Sequence, residues 1–216
     1  LHLSIRRQRQ MCIRDRVQPE YCLVNGYMMY GLMSSDVAVG KKNNDTLDFS
    51  RSTLEECGID QIADIRLKFT VSDGDSWTTL FKTDELSLQT SAAGSYTQTY
   101  NDSGEVIYDT NGIKVVAKSA GDDFLGKGVT FYLENNTDQH IVVNGENISV
   151  NGYMMTDLFY ADLAPHSHAV DTLTLLDSDL KDNSIDTIEE VDLTLRITDY
   201  DSYDNIDTTS PITLHF

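Results

Sequence analysis

The sequence predicts an all-β chain made of two copies of one β-sandwich, the first shortened at its N-terminus, and three observations carry that prediction. The hexapeptide Val24-Asn25-Gly26-Tyr27-Met28-Met29 returns as Val150-Asn151-Gly152-Tyr153-Met154-Met155, an offset of 126 residues from Val24 to Val150. Further matches follow at that offset without a gap: Ile59-Asp60 with Ile185-Asp186, Leu67 with Leu193, Asp73 with Asp199, Asp75-Ser76 with Asp201-Ser202. Similarity at a fixed period means one structural unit used again. Next, Ile65-Arg66-Leu67-Lys68-Phe69-Thr70-Val71 and its counterpart Val191-Asp192-Leu193-Thr194-Leu195-Arg196-Ile197 place apolar residues at odd positions and polar ones at even positions. Side chains alternate across a strand, so this period puts one face in a core and the other, Thr194 included, in water. Finally, Asn25-Gly26 and Asn151-Gly152 each stand between β-type flanks. A type I′ hairpin turn needs positive φ at both central positions, and Asn followed by Gly adopts it most readily.

The elements follow in chain order. Residues 1–16, LHLSIRRQRQMCIRDR, hold five of the sixteen basic residues and show neither periodicity. They resemble the translation of sequencing-adapter read-through at the broken end of a reading frame, and the fold is expected to start after them. They do not read as a signal peptide, because no apolar core of roughly seven residues follows the arginines.

The first copy is expected over residues 17–94. It contains the Asn25-Gly26 hairpin, an alternating stretch at Leu47 and Phe49, and a helical turn at 52–57. There Ser52 or Thr53 precedes a glutamate with capping-box spacing, and Gly58 supplies the stop. The strand 65–71 follows, and the small polar run 89–95 reads as a linker.

The second copy is expected over 95–216. Strands are predicted at 105–108, 113–119, 129–134 and 140–143 ahead of its hairpin, with 96–100 a candidate hairpin partner for 105–108. After the hairpin come the alternation at Leu173 and Leu175, a helical turn at 178–182, the strand 191–197, and Ile212 with Leu214. Seven or eight short strands over about 115 residues is immunoglobulin-like sandwich spacing. The first copy, beginning at Val17 opposite Val143, has no counterparts of the four leading strands and is expected to be a truncated domain.

Thirty-five acidic residues against sixteen basic ones give a formal net charge of −19. Such a field repels nucleic acid and anionic lipid, so neither is expected as a partner. No stretch reaches the roughly 18 apolar residues of a membrane-crossing helix, so attachment to a membrane is expected only through a segment upstream of this chain. Cys22 and Cys57 have Ile148 and Asn183 as counterparts. A disulfide framework is therefore not expected, and Cys22 reads as a small buried hydrophobe.

Candidate chemistry is sparse. Asp73-Gly74-Asp75-Ser76-Trp77 and Asp199-Tyr200-Asp201-Ser202-Tyr203-Asp204 follow equivalent strands. Calcium wants several carboxylate oxygens converging from one loop, which makes Asp73, Asp75, Asp199, Asp201 and Asp204 the candidate ligands. An EF-hand would need a ligand and then glycine where Trp77-Thr78 and Tyr203-Asp204 stand, so the competing reading is a turn in which aspartates bond their own backbone. His166-Ser167-His168 has alternate spacing but lacks a third ligand, and is read as solvent-exposed. His140 and His215 stand isolated. Gly-x-Ser-x-Gly, a phosphate-binding glycine loop and His-Glu-x-x-His are all missing, so neither catalysis nor a cofactor is expected. Tyr27-Met28-Met29 and Tyr153-Met154-Met155 form a candidate contact stripe, and the competing, favoured reading is a strand that serves the core on one face.

The phrase Asp109-Thr110-Asn111-Gly112-Ile113-Lys114-Val115-Val116, the strand order and the Val-Asn-Gly-Tyr-Met-Met motif resemble uncharacterised immunoglobulin-like repeats. Such repeats occur in surface and lipoprotein-like proteins of Gram-positive gut bacteria, often attached to a zinc-ribbon or membrane-anchor segment. The resemblance spans residues 17–216 and implies an extracellular β-sandwich anchored upstream, but it transfers no site residue. The functional expectation is a non-catalytic cell-surface module, a spacer or an adhesive domain with a protein or glycan ligand. The alternatives are a divalent-cation or glycan-binding module using the Asp-rich loops, and an accessory domain of a larger surface enzyme.

Overall fold

A computed structural model describes residues 14–123, 125–156 and 158–216. It is all-β, with sixteen strands and two short helices among the described residues. The chain divides into two compact units, Leu1–Gln98 and Thr99–Phe216.

The first unit holds β1 (Arg14–Val24), β2 (Tyr27–Met28), β3 (Ser35–Ala38), α1 (Arg51–Glu56), β4 (Asp64–Asp73), β5 (Thr79–Lys82) and β6 (Leu86–Gln89). Its strands make one antiparallel sheet around the long β1–β4 pair, with β2 and β3 beside β1 and β5 and β6 beside β4.

The second unit holds β7 (Glu105–Thr110), β8 (Ile113–Asp123), β9 (Gly126–Asn135), β10 (Ile141–Val150), β11 (Tyr153–Met154), β12 (Tyr160–Leu163), β13 (Ser167–Leu176), α2 (Asp177–Asp182), β14 (Glu190–Asp199), β15 (Asn205–Thr208) and β16 (Ile212–His215). Antiparallel pairing gives the order β7-β8-β9-β13 in one sheet. In the other, β10 and β14 are central, flanked by β11 and β12 on one side and β15 and β16 on the other. Val115, Val129, Phe131, Leu133, Leu173 and Leu175 from the first sheet are fully buried, as are Val143, Ile148, Leu195 and Ile197 from the second. Each such side chain contributes about 1.5–3 kcal/mol of hydrophobic stabilisation. The core is the set of inward positions of both sheets.

Pairings recur at the 126-residue offset from Asn25 to Asn151. Val24↔Ile65 is matched by Val150↔Val191, Val17↔Ser35 by Val143↔Ala161, Thr70↔Lys82 by Arg196↔Thr208, and Leu67↔Leu86 by Leu193↔Ile212. Asn25 and Asn151 both have φ 50, and Gly26 and Gly152 both have φ 84, as a type I′ turn requires. Asn111 and Gly112 repeat that geometry with φ 52 and 82, joining β7 to β8.

Several expectations need correcting. Arg14, Asp15 and Arg16, set apart from the fold on composition, open β1 and pair with β3, and Asp15 and Arg16 pair with β4 as well. Backbone hydrogen bonding is indifferent to side-chain type, so composition did not signal this. The rest of the 1–16 segment lies outside the described residues. Thr194 is only 9% exposed rather than solvent-facing, because β14 has strands on both sides. In β4, Leu67 and Val71 are buried while Ile65 and Phe69 are only partly so.

The alternation at Leu47 and Phe49 forms no strand; an isolated bridge, Leu32↔Asp48, is all that occurs there. Its counterpart β13 pairs along its whole length with β9, whose own counterpart falls outside the described residues. Helix α1 is capped two or three residues earlier than expected. Ser50, not Ser52 or Thr53, accepts a bond from the Thr53 N–H, and Gly58 at φ 64 follows the end of the helix. Residues 96–100 are not a strand, and β7 pairs with β8 instead. Segments 140–143 and 148–150 merge into β10, where Asn147 at φ 55 sits in a bulge between Glu146 and Ser149.

Candidate functional site

The repeated asparagine acts as a bracket as well as a turn residue. The Asn25 side-chain oxygen accepts from the Ala63 and Asp64 N–H groups at 2.8 and 3.1 Å, and its amide donates to the Gln61 carbonyl at 2.8 Å. Asn151 repeats this, accepting from Glu189 and Glu190 at 3.0 Å each and donating to Thr187 at 2.8 Å. Each hairpin is thereby tied to the loop that enters the central strand β4 or β14.

The Asp-rich loops are likewise built twice. Asp73 accepts from the Asp75 N–H at 3.0 Å and the Ser76 N–H at 2.8 Å; Asp199 accepts from Asp201 at 3.0 Å and Ser202 at 2.9 Å. Trp77 and Tyr203 sit at φ 61 and 60 and donate their N–H groups back to the Asp73 and Asp199 carbonyls. The Ser76 and Asp75 N–H groups hold the Asp73 carboxyl below the usual range, and the Ser202 N–H does the same for Asp199. One oxygen of each carboxylate is thus committed to shaping its turn. Asp75, Asp201 and Asp204 are exposed. Among the described residues no three His, Cys, Asp or Glu side chains converge as metal ligands.

The histidines have specific surroundings that spacing did not reveal. His140 is hydrogen-bonded to Asp162 and stacks on Tyr200 at 3.9 Å. The counterpart of that pair in the first unit is Arg14 with Asp36, where Arg16 also binds Asp36 at 2.9 Å and lies 4.0 Å from the Trp77 ring centre. His166 bonds Asp138 at 2.8 Å, whereas His168 bonds the Tyr132 hydroxyl at 2.8 Å and stacks on Tyr100 at 3.7 Å. The two rings of the His-Ser-His run therefore serve different neighbours. His215 lies 3.6 Å from Glu190.

Cys22 and Cys57 are buried free thiols. Burial pushes the Cys22 thiol up to about 12. The tyrosine–methionine stripe differs between its two occurrences: Tyr27 is 1% exposed, while Tyr153 and Met154 are 50% and 65% exposed.

Among the described residues, the second unit contains a concavity. It is an open cleft of about 660 Å³ whose lining includes Asn144, Glu146, Leu158, Tyr160, Asp171 and Arg196. The stretch from Leu158 to Tyr160 makes one wall. It is held at both sheets, because the Gly145 N–H donates to the Phe159 carbonyl at 3.1 Å and the Thr174 N–H to the Leu158 carbonyl at 3.1 Å. A Cβ at residue 145 would sit 3.1 Å from the Phe159 Cβ and 3.2 Å from Ile148, so glycine leaves this close approach unstrained. Phe159 is buried with its ring 4.9 Å from that of Phe131, and this turns its neighbours Leu158 and Tyr160 outward, 39% and 53% exposed. Arg196 pairs with Glu146 at 3.4 Å. The Tyr160 hydroxyl is pushed up to about 12 by partial burial, then by the charges of Asp162, Tyr200 and Tyr203. None of these residues is marked by a sequence motif.

Comparison with family models, curated proteins and solved structures found no match for this chain.

Proposed function

We propose that the chain is a non-catalytic module of an extracellular or cell-surface protein, built as tandem immunoglobulin-like β-sandwiches, that projects or binds. The observation that carries this reading is the nature of what the two halves share. The residues repeated at the same offset are an asparagine that brackets a hairpin, an aspartate that shapes a turn, and apolar positions that fill strands. These are requirements of shape rather than of chemistry, as expected when a fold is duplicated to give length or a surface. The net charge of −19 keeps such a surface soluble and disfavours polyanionic partners.

Antibodies raised against the purified chain test the reading directly. They should label intact cells of the source organism, and mild protease treatment of whole cells should release the antigen. Labelling that needs prior lysis overturns the surface assignment.

A further inference from the structure

We infer that the cleft of the second unit binds a neutral oligosaccharide, with Tyr160 as the stacking platform and Asn144, Glu146, Asp171 and Arg196 as partners for sugar hydroxyls. This rests on the binding-module reading above and gives that module a ligand class.

The first argument is chemical. A pyranose ring presents a patch of C–H groups on its face and a ring of hydroxyls at its edge, each hydroxyl able to donate and to accept. The cleft offers the complement: a half-exposed tyrosine and a leucine beside carboxylates, an amide and a guanidinium. Its volume of about 660 Å³ lies within the range typical of small-ligand sites.

Charge narrows the class. Two carboxylates face one guanidinium in the cleft, on a chain of net −19. A phosphorylated or uronic-acid glycan would meet repulsion there, whereas a neutral one would not. The wall is also ordered before any ligand arrives, because Phe159 is packed in the core and Glu146 and Arg196 hold one another. Less freedom is then lost on binding.

The first unit supplies an internal control. Asn144 stands opposite Arg196 in the β10–β14 register as Gln18 stands opposite Thr70 in β1–β4. At the same offset Glu20 matches Glu146, and Ser34 stands where Tyr160 does. The Glu20 side chain is 2% exposed, with Lys68 at 3.1 Å and Lys82 at 3.3 Å. The second unit has Thr194 and Thr208 in place of those lysines. One carboxylate position is thus buried under two lysines in the first unit, whereas in the second it is partly exposed, paired with Arg196, and lines the same cleft as Tyr160. A requirement of the fold would have produced the same arrangement twice, so the partly exposed version marks a task.

The test is a titration of the ¹⁵N-labelled full chain, followed by amide NMR, with cellotetraose, maltotetraose, mannotetraose and tetra-N-acetylchitotetraose, and with tetragalacturonate as the anionic comparison. At least one neutral tetrasaccharide should give saturable shifts with Kd on the order of 1 mM or tighter, largest at Gly145, Leu158, Tyr160 and Thr172. Tyr160→Ala should weaken binding about tenfold or more, Tyr160→Phe should largely preserve it, and Tyr30→Ala in the first unit should leave it unchanged. Arg196→Gln, at a partly exposed position, gives a second reading if Tyr160→Ala perturbs the fold.

The site is rejected by any of several results: no saturable shift from the neutral sugars up to about 10 mM, a response to tetragalacturonate alone, or shifts centred elsewhere. Unchanged affinity in both Tyr160→Ala and Arg196→Gln rejects it too. Those results leave the non-catalytic surface module standing. Shortening of a bound tetrasaccharide, read by chromatography of the same samples, would instead overturn the non-catalytic reading and leave the site.

Discussion

Asn151 combines two demands at one position, a backbone at φ 50 and a side chain making three hydrogen bonds to the loop before β14. Alanine meets neither demand, so Asn151→Ala should lower stability by about 2–3 kcal/mol in urea denaturation. Asn151→Gly relieves only the backbone and should fall between Asn151→Ala and the parent. Equal stability of all three would refute the bracket.

Asp199 illustrates a different dependence. Its carboxyl is held below the usual range in the folded chain, chiefly by the Ser202 N–H. A depressed native value contributes stability above the unfolded value, near pH 3.9, and that contribution is lost as pH falls through the native value. Asp73, Asp179 and Asp192 are shifted in the same direction, so stability should drop from about pH 4 downward. Asp199→Asn keeps an acceptor for the turn but carries no charge, and its urea midpoint should fall less steeply between pH 5 and 2, approximately. A parallel decline would refute that role.

At the scale of elements, what the sequence revealed depended on whether a strand's surroundings were local. The strand β14 and the two Asn-Gly hairpins were legible because alternation and turn chemistry are properties of adjacent residues. The fate of 41–50 was not, because a strand forms only beside a partner, and an alternating stretch does not name one. Thr194 was misread for the same reason: a central strand buries part of its outer face against cross-strand neighbours such as Glu146. The cleft was illegible because Asn144, Tyr160, Asp171 and Arg196 come from four strands, β10, β12, β13 and β14, that meet only in the folded sheets.

Three aspartate substitutions separate the resulting positions. Leu193→Asp places a charge in the core and should remove most of the unit's stability, on the order of several kcal/mol. Thr194→Asp should cost an intermediate amount, whereas Ser119→Asp at an exposed position of β8 should change stability by less than about 0.5 kcal/mol. If Thr194→Asp were as silent as Ser119→Asp in urea denaturation, the outer face of β14 would be open after all.

At the scale of the whole molecule, the two units are equipped unequally. A sheet is stable when its apolar face is covered by a second layer. Thr99–Phe216 has two sheets of its own, whose inward positions Phe131, Leu173, Leu195 and Ile197 are all fully buried. The described residues of the first unit make one sheet and a six-residue helix, α1, that buries none of its own side chains. Its outer strands β5 and β6 also carry exposed Leu80, Phe81 and Leu88. Residues 99–216 expressed alone should therefore unfold in a single cooperative transition with urea, and be monomeric. Residues 14–98 alone should not, and their exposed strand edges and apolar side chains should drive self-association. The chain's only tryptophan, Trp77, lies in that unit with Arg16 4.0 Å from its ring centre, so its fluorescence reports on the 14–98 fragment directly. A concentration-independent, sigmoidal Trp77 transition in a monomeric 14–98 fragment would mean that its single sheet suffices, and would overturn the layer argument.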